Sequence, residues 1–149
     1  MADLRELYQQ TILEHNRSPR NFKRLDTANR TAEGNNPLCG DVVGMDFQIK
    51  DGTIEDVRFH GRGCAISQAS ASLMTAAVQG KTAAEAETLF HKFHDMVAGG
   101  ANAPADPQTL GKLAAFAGVK EFPARVKCAN LSWHTLHAAL QSQASVTTE

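Results

Sequence analysis

Val43-Gly44-Met45-Asp46-Phe47-Gln48-Ile49-Lys50-Asp51-Gly52-Thr53-Ile54-Glu55-Asp56-Val57-Arg58-Phe59 is the stretch that decides the fold. Its first half alternates Val43, Met45, Phe47 and Ile49 against Gly44, Asp46, Gln48 and Lys50, the two-residue period of a strand with one buried face. Asp51-Gly52 then supplies two residues that tolerate positive φ, as a two-residue hairpin turn requires. The return strand, residues 53–59, carries apolar Ile54, Val57 and Phe59, whose parity changes once. That change predicts a bulge, or a turn that takes in Ile54.

Upstream, Leu4, Leu7, Tyr8, Thr11 and Ile12 fall at helical spacing, with Asp3 as N-cap and Pro19 closing the segment. Residues 21–41 are rich in turn formers and predict a loop with one short strand near Arg30 to Ala32. Downstream of the hairpin, Cys64 directly precedes a helical run over 65–79, in which Ala69, Ser70, Ala76 and Ala77 permit close packing on the sheet and Ile66, Leu73 and Met74 fill the core. Thr82-Ala83-Ala84-Glu85 is a capping box that opens a helix with one apolar face of Ala86, Leu89, Phe90, Phe93 and Val97, stopped by Gly99-Gly100. Asp106-Pro107 predicts another helix start, with Leu110, Leu113, Ala114 and Ala117 running to Gly118. Phe122-Pro123 begins the last helix, whose buried side is marked by Trp133, Leu136 and Leu140; residues 141–149 read as a polar, frayed tail. Strands followed by a block of helices predict an α+β fold: a small antiparallel β-sheet with helices packed on one face, in a single domain over 1–149.

The chain has 149 residues, enough for one core that buries on the order of 70% of the unfolded surface. Its 15 basic and 16 acidic residues create no large field of one sign, so neither nucleic acid nor an anionic membrane is an expected partner. Charges at Asp3, Arg5, Glu6 and Glu14 interrupt any secretory signal, and no stretch approaches a membrane span, which predicts a cytoplasmic protein. Three cysteines, at 39, 64 and 128, cannot complete a disulfide framework and point to metal binding or thiol chemistry.

Cys39-Gly40-Asp41 places a thiolate and a carboxylate two residues apart, on one face if the backbone is extended. With Cys64 and Cys128 they make three sulfurs and one oxygen, a set acceptable to Zn²⁺ or to the iron of a cluster. Around a divalent ion such a set keeps a net negative charge, which calls for cations or dipoles nearby. The N-terminus of the helix after Cys64 supplies one, and Arg125, one helical turn before Cys128, supplies another. Asp41, the hard donor, is the ligand most readily displaced, and Cys39, flanked by glycine on a loop, is the best placed to accept sulfur. His91-x-x-His94 and His134-x-x-His137 form a competing metal motif, but both pairs lie beside the apolar faces of their helices, where solvated histidines are expected.

Three blocks of sequence resemble the IscU/NifU N-terminal family. They are Asn36-Pro37-Leu38-Cys39-Gly40-Asp41, Phe59-His60-Gly61-Arg62-Gly63-Cys64-Ala65-Ile66-Ser67, and Phe122-Pro123-Ala124-Arg125-Val126-Lys127-Cys128-Ala129. Lys127 stands where IscU scaffolds carry a histidine, which makes the chain look like the SufU branch. The resemblance implies iron–sulfur cluster assembly and Zn²⁺ held by Cys39, Asp41, Cys64 and Cys128, with Arg125 and Lys127 supporting the site. It also implies a zinc-dependent sulfurtransferase role in which Cys39 takes persulfide sulfur from a SufS-like cysteine desulfurase, whose histidine replaces one zinc ligand. A downstream iron–sulfur scaffold or apo-protein would receive the sulfur. The alternative is a scaffold on which a [2Fe–2S] cluster is assembled and handed on, with iron or the cluster in place of zinc.

Overall fold

The computed structural model describes residues 4–37, 40–98, 110–141 and 145–147. In chain order these form α1 (Leu4–Arg17), β1 (Arg30–Asn36), β2 (Asp41–Lys50), β3 (Thr53–Arg62), α2 (Ala65–Val78) and α3 (Ala83–Ala98). A 3₁₀ helix (Gly111–Glu121), α4 (Pro123–Leu140) and β4 (Ser145–Thr147) follow. None of the described helices is long and apolar enough to cross a membrane.

Asp51 and Gly52 adopt φ of 55° and 79°, so the hairpin turn has the two left-handed residues its sequence calls for. Pairing of β2 with β3 slips between Gln48, opposite Asp56, and Ile49, opposite Ile54. Glu55 is the extra residue of a bulge, and the slip lets Ile54, Val57 and Phe59 all reach the core despite their mismatched parity. They meet Val43, Met45 and Phe47 of β2 there.

β1 extends well beyond the short strand expected near Arg30 to Ala32. It pairs antiparallel with β2 from Arg30 opposite Phe47 to Asn36 opposite Asp41. Its burial alternates strictly, but the inward residues are Ala32, Gly34 and Asn36, a set with almost no hydrophobic signal. The reason is α4: a Cβ on Gly34 would overlap Thr135 Oγ1 and lie 3.1 Å from Leu131 Cδ1. Only a strand stripped to hydrogen at this position lets the helix come so near.

The sheet order is β3-β2-β1-β4, and β4 pairs parallel to β1. The three long strands are antiparallel as expected, whereas Ser145–Thr147 adds a strand within the segment read as a frayed tail. Three residues of mixed polar character carry no periodicity to announce a strand, so tertiary pairing decides it.

The segment after the described gap differs too. The expected helix start at Asp106-Pro107 lies outside the described residues, and the turn runs past Gly118 to Glu121 as a 3₁₀ helix. Leu110, Leu113, Phe116 and Val119 are all buried. That spacing of three stacks side chains in one row on a helix of three residues per turn.

Phe93 of α3 stacks on Trp133 of α4 at 4.9 Å and meets Phe116 of the 3₁₀ helix edge-on at 5.6 Å. α2 is buried along most of its length, although Ala76, expected to face the sheet, is exposed. Ser70 Oγ donates to the Ala129 carbonyl of α4 at 2.6 Å. On the other side Ser72 Oγ accepts from the Arg20 amide at 2.8 Å and lies 2.7 Å from His15 Nδ1 of α1. The expected capping box is made in full: Glu85 N donates to Thr82 Oγ1 at 3.1 Å, and Thr82 N donates to Glu85 Oε1 at 3.0 Å.

Gly34→Ala should destabilise the fold by about 1–3 kcal/mol through overpacking, read by denaturant unfolding. Adding Thr135→Ala should recover part of that loss, because the two side chains compete for one space. His15 supplies a pH test. Burial, then the Arg20 charge, lowers its pKa below the ordinary imidazole value, against a smaller opposing effect of Glu14. The unfolded chain therefore binds the proton first, so stability is full above about pH 6.5 and falls as pH drops below it. Unfolding free energies between pH 7.5 and 5 should show this slope, and His15→Gln should flatten it.

Candidate metal centre

The site lies where the start of β2, the start of α2 and the first turns of α4 converge. Asp41 is the first residue of β2 and is 1% exposed. Cys64 is the N-cap of α2, with φ −68° and ψ 170°, and its sulfur accepts from Ser67 N at 3.5 Å. Cys128, on α4, is fully buried. Among the described residues these three are the group of His, Cys, Asp or Glu side chains whose ligand atoms all lie within 4.8 Å of one another. Neither cysteine is in a disulfide.

One hydrogen bond sets this geometry. Cys64 N donates to Asp41 Oδ1 at 2.9 Å, leaving Oδ2 at 3.8 Å from Cys64 Sγ. The carboxylate thus satisfies an amide at the positive end of α2 while its second oxygen faces the sulfurs. Close approach of β3's end to β2 makes this possible. Gly61 has φ 118°, and a Cβ there would overlap the Val42 carbonyl; a Cβ on Gly63 would press on Ser67 and lie 3.3 Å from Asp41 Oδ1. Gly61-Arg62-Gly63 serves the close packing of the site.

Cys128 Sγ lies 3.8 Å from Asn36 Nδ2 and 3.7 Å from the Ala124 carbonyl. Asn36 is fully buried and sits opposite Asp41 across the sheet. Its amide is a donor to the site, a role that its residue type alone does not announce. The signal was its place at the inward end of β1, hidden by how short that strand was expected to be.

Arg125 is exposed, one turn before Cys128. Its interaction with Cys64, then with Cys128, raises its pKa above the ordinary arginine value. Lys127 is exposed. Cys39 lies outside the described residues. The four histidines are not simply solvated: His94, His134 and His137 are half-buried, and all four rings pack around Phe90.

Two sulfurs and one oxygen converging on one point suit a tetrahedral Zn²⁺ ion that takes one further donor. They suit iron as well, since thiolates hold iron–sulfur clusters. Hard cations such as Mg²⁺ are excluded by the sulfurs.

An α+β domain with a mixed thiolate–carboxylate cluster at one end of its sheet is a recognised class. Residues 7–141 match the NifU-like N-terminal domain, and the chain belongs to that family. It is 39% identical over 142 residues, 95% of each chain, to a Bacillus subtilis protein named zinc-dependent sulfurtransferase SufU. It is also 39% identical over 145 residues, 97% of this chain and 89% of the other, to a Streptococcus pyogenes protein named iron-sulfur cluster assembly scaffold protein IscU. The crystal structure of a protein described as a putative SufU scaffold from Fervidobacterium islandicum superposes with a TM-score of 0.83 at 36% identity, covering 91% of this chain and 97% of that one.

Cys64→Ser and Cys128→Ser should each lose the Zn²⁺ held at this corner, because each removes one of the converging donors. Both should also melt at lower temperature than the zinc-loaded parent, since metal binding is coupled to folding. Metal analysis after gel filtration and a melting curve with and without chelator check this together.

Proposed function

We propose that this chain is an iron–sulfur cluster assembly protein that accepts persulfide sulfur from a cysteine desulfurase on Cys39, with Zn²⁺ held by Cys39, Asp41, Cys64 and Cys128. The observation that carries it is the convergence of Asp41, Cys64 and Cys128, with a third cysteine two residues from Asp41 along the chain. Asn36 and Asp41 pair across β1 and β2, so the connection that contains Cys39 begins and ends at the site. Gly40, at φ 71°, makes the turn into β2.

Bound Zn²⁺ keeps coordinating thiols deprotonated at neutral pH. The Cys39 thiolate attacks the terminal sulfur of the desulfurase persulfide; the sulfur–sulfur bond of the donor breaks and its cysteine leaves as a thiolate. A persulfide on Cys39 results, with no external oxidant or reductant. Asp41, the oxygen donor of a sulfur-rich set, is the ligand most readily given up to an incoming donor of the partner. Arg125, exposed beside Cys64 and Cys128, offers a charge for docking the desulfurase, and Lys127 a second one. A reducing, cytoplasmic setting belongs to this reading, since the three thiols must stay reduced. The sulfur then passes to a downstream iron–sulfur scaffold or apo-protein.

The name of the Streptococcus pyogenes relative favours a second reading, in which the same donors hold a [2Fe–2S] cluster. Colour separates the two: zinc gives a colourless protein, whereas a cluster gives visible absorption bands with stoichiometric iron and sulfide.

The test of sulfur transfer is mass spectrometry of peptides mapped under non-reducing conditions after brief exposure to a cysteine desulfurase and cysteine. One added sulfur atom should appear first on the peptide that contains Cys39, and Cys39→Ser should accept none. First labelling of Cys64 or Cys128 would overturn the assignment.

A further inference from the structure

Away from the cysteine site, α3 and α4 bring together a carboxylate and four imidazoles. Glu87, His91 and His94 lie on one side of α3, and His134 and His137 on the facing side of α4. His137 stacks on Phe90 with ring centroids 5.0 Å apart and planes at 10°, which fixes its orientation. Its Nδ1 lies 2.8 and 2.9 Å from the two oxygens of Glu87. His91 Nε2 approaches the same carboxylate at 3.9 Å from one turn further along α3.

We propose that Glu87, His91 and His137 form a second divalent metal site that takes Zn²⁺ or a similar borderline transition-metal ion, independent of the cysteine cluster. Imidazole and carboxylate are the donors such ions select. A tetrahedral ion about 2.1 Å from each donor sets donors about 3.4 Å apart. The two separations from Glu87, 2.8 and 3.9 Å, bracket that figure, so each changes by about half an ångström when an ion enters.

Ion binding replaces the proton that His137 donates to Glu87. The one larger motion is at His91, which must turn toward His137, since these three ligand atoms are not yet within 4.8 Å of one another. Its side chain is 68% exposed and can turn without disturbing the core. Water has access for the remaining position, because His137 and Glu87 are 38% and 22% exposed. His94 and His134 meet edge-on with ring centroids 5.7 Å apart. Burial, then the charges of His94 and His137, lowers the pKa of His134.

The test is equilibrium dialysis of the untagged chain against micromolar free Zn²⁺, with metal analysis. The parent should hold one more equivalent of zinc than His91→Ala, and His137→Gln should lose the same equivalent. His91 is exposed, so an unchanged melting curve of metal-free His91→Ala shows that the fold is intact. In the Cys64→Ser, Cys128→Ser double variant the histidine-dependent equivalent should persist, which keeps this readout separate from the cysteine site. Equal zinc content in the parent and His91→Ala would overturn the proposal, whatever the cysteines bind.

Discussion

Asp41 is a buried carboxylate at a strand start, and it survives there only because α2 begins beside it. Burying an ion without compensation is expensive. The Cys64 amide, at the positive end of the helix, donates to one oxygen at 2.9 Å and leaves the other aimed at sulfur. The glycines at 61 and 63 bring the two elements close enough for that bond. Asn36, opposite Asp41, carries the same constraint to the third element by reaching Cys128 on α4. The site is thus a by-product of how three elements start or end at one corner of the sheet.

The same corner gathers negative charge. The Asp41 carboxylate and two cysteine sulfurs crowd within 4.8 Å, and the compensation at hand is a helix terminus and the exposed Arg125. An exposed guanidinium is solvated and mobile, so it moderates the field without neutralising it. This asymmetry, a largely buried cluster with its cation on the outside, is what the proposed exchange with a partner protein would need.

The hairpin, its turn and the bulge were legible because alternation, Asp51-Gly52 and a parity break are local signals. The capping box at Thr82 and the proline start of α4 were legible for the same reason. β1 was legible only at its start, near Arg30 to Ala32, because the rest of its inward face is Gly34 and Asn36, chosen for what α4 needs and not for hydrophobicity. A helix was legible here but its 3₁₀ form was not, since Leu110 and Leu113 fit both periods; Phe116 and Val119 decide it only when read at spacing three. The donors Asp41, Cys64 and Cys128 could be chosen by chemical type and by their flanking residues. Asn36 and the meeting of the histidine pairs depend on tertiary neighbours that no short window contains.

β4 lies parallel to β1 on the sheet's edge, although nearly the whole chain separates the two in sequence. A ribosome delivers β1 early and β4 late, so throughout synthesis the outer edge of β1 presents unpaired amides and carbonyls. During that interval the nascent chain is open to strand exchange with a neighbouring copy or to capture by a chaperone. Parallel pairing across such a distance also pays a large loop-closure entropy, which makes it a late event in folding. The native edge is sealed last, and it is sealed at Glu33–Asn35, next to Asn36 at the metal corner.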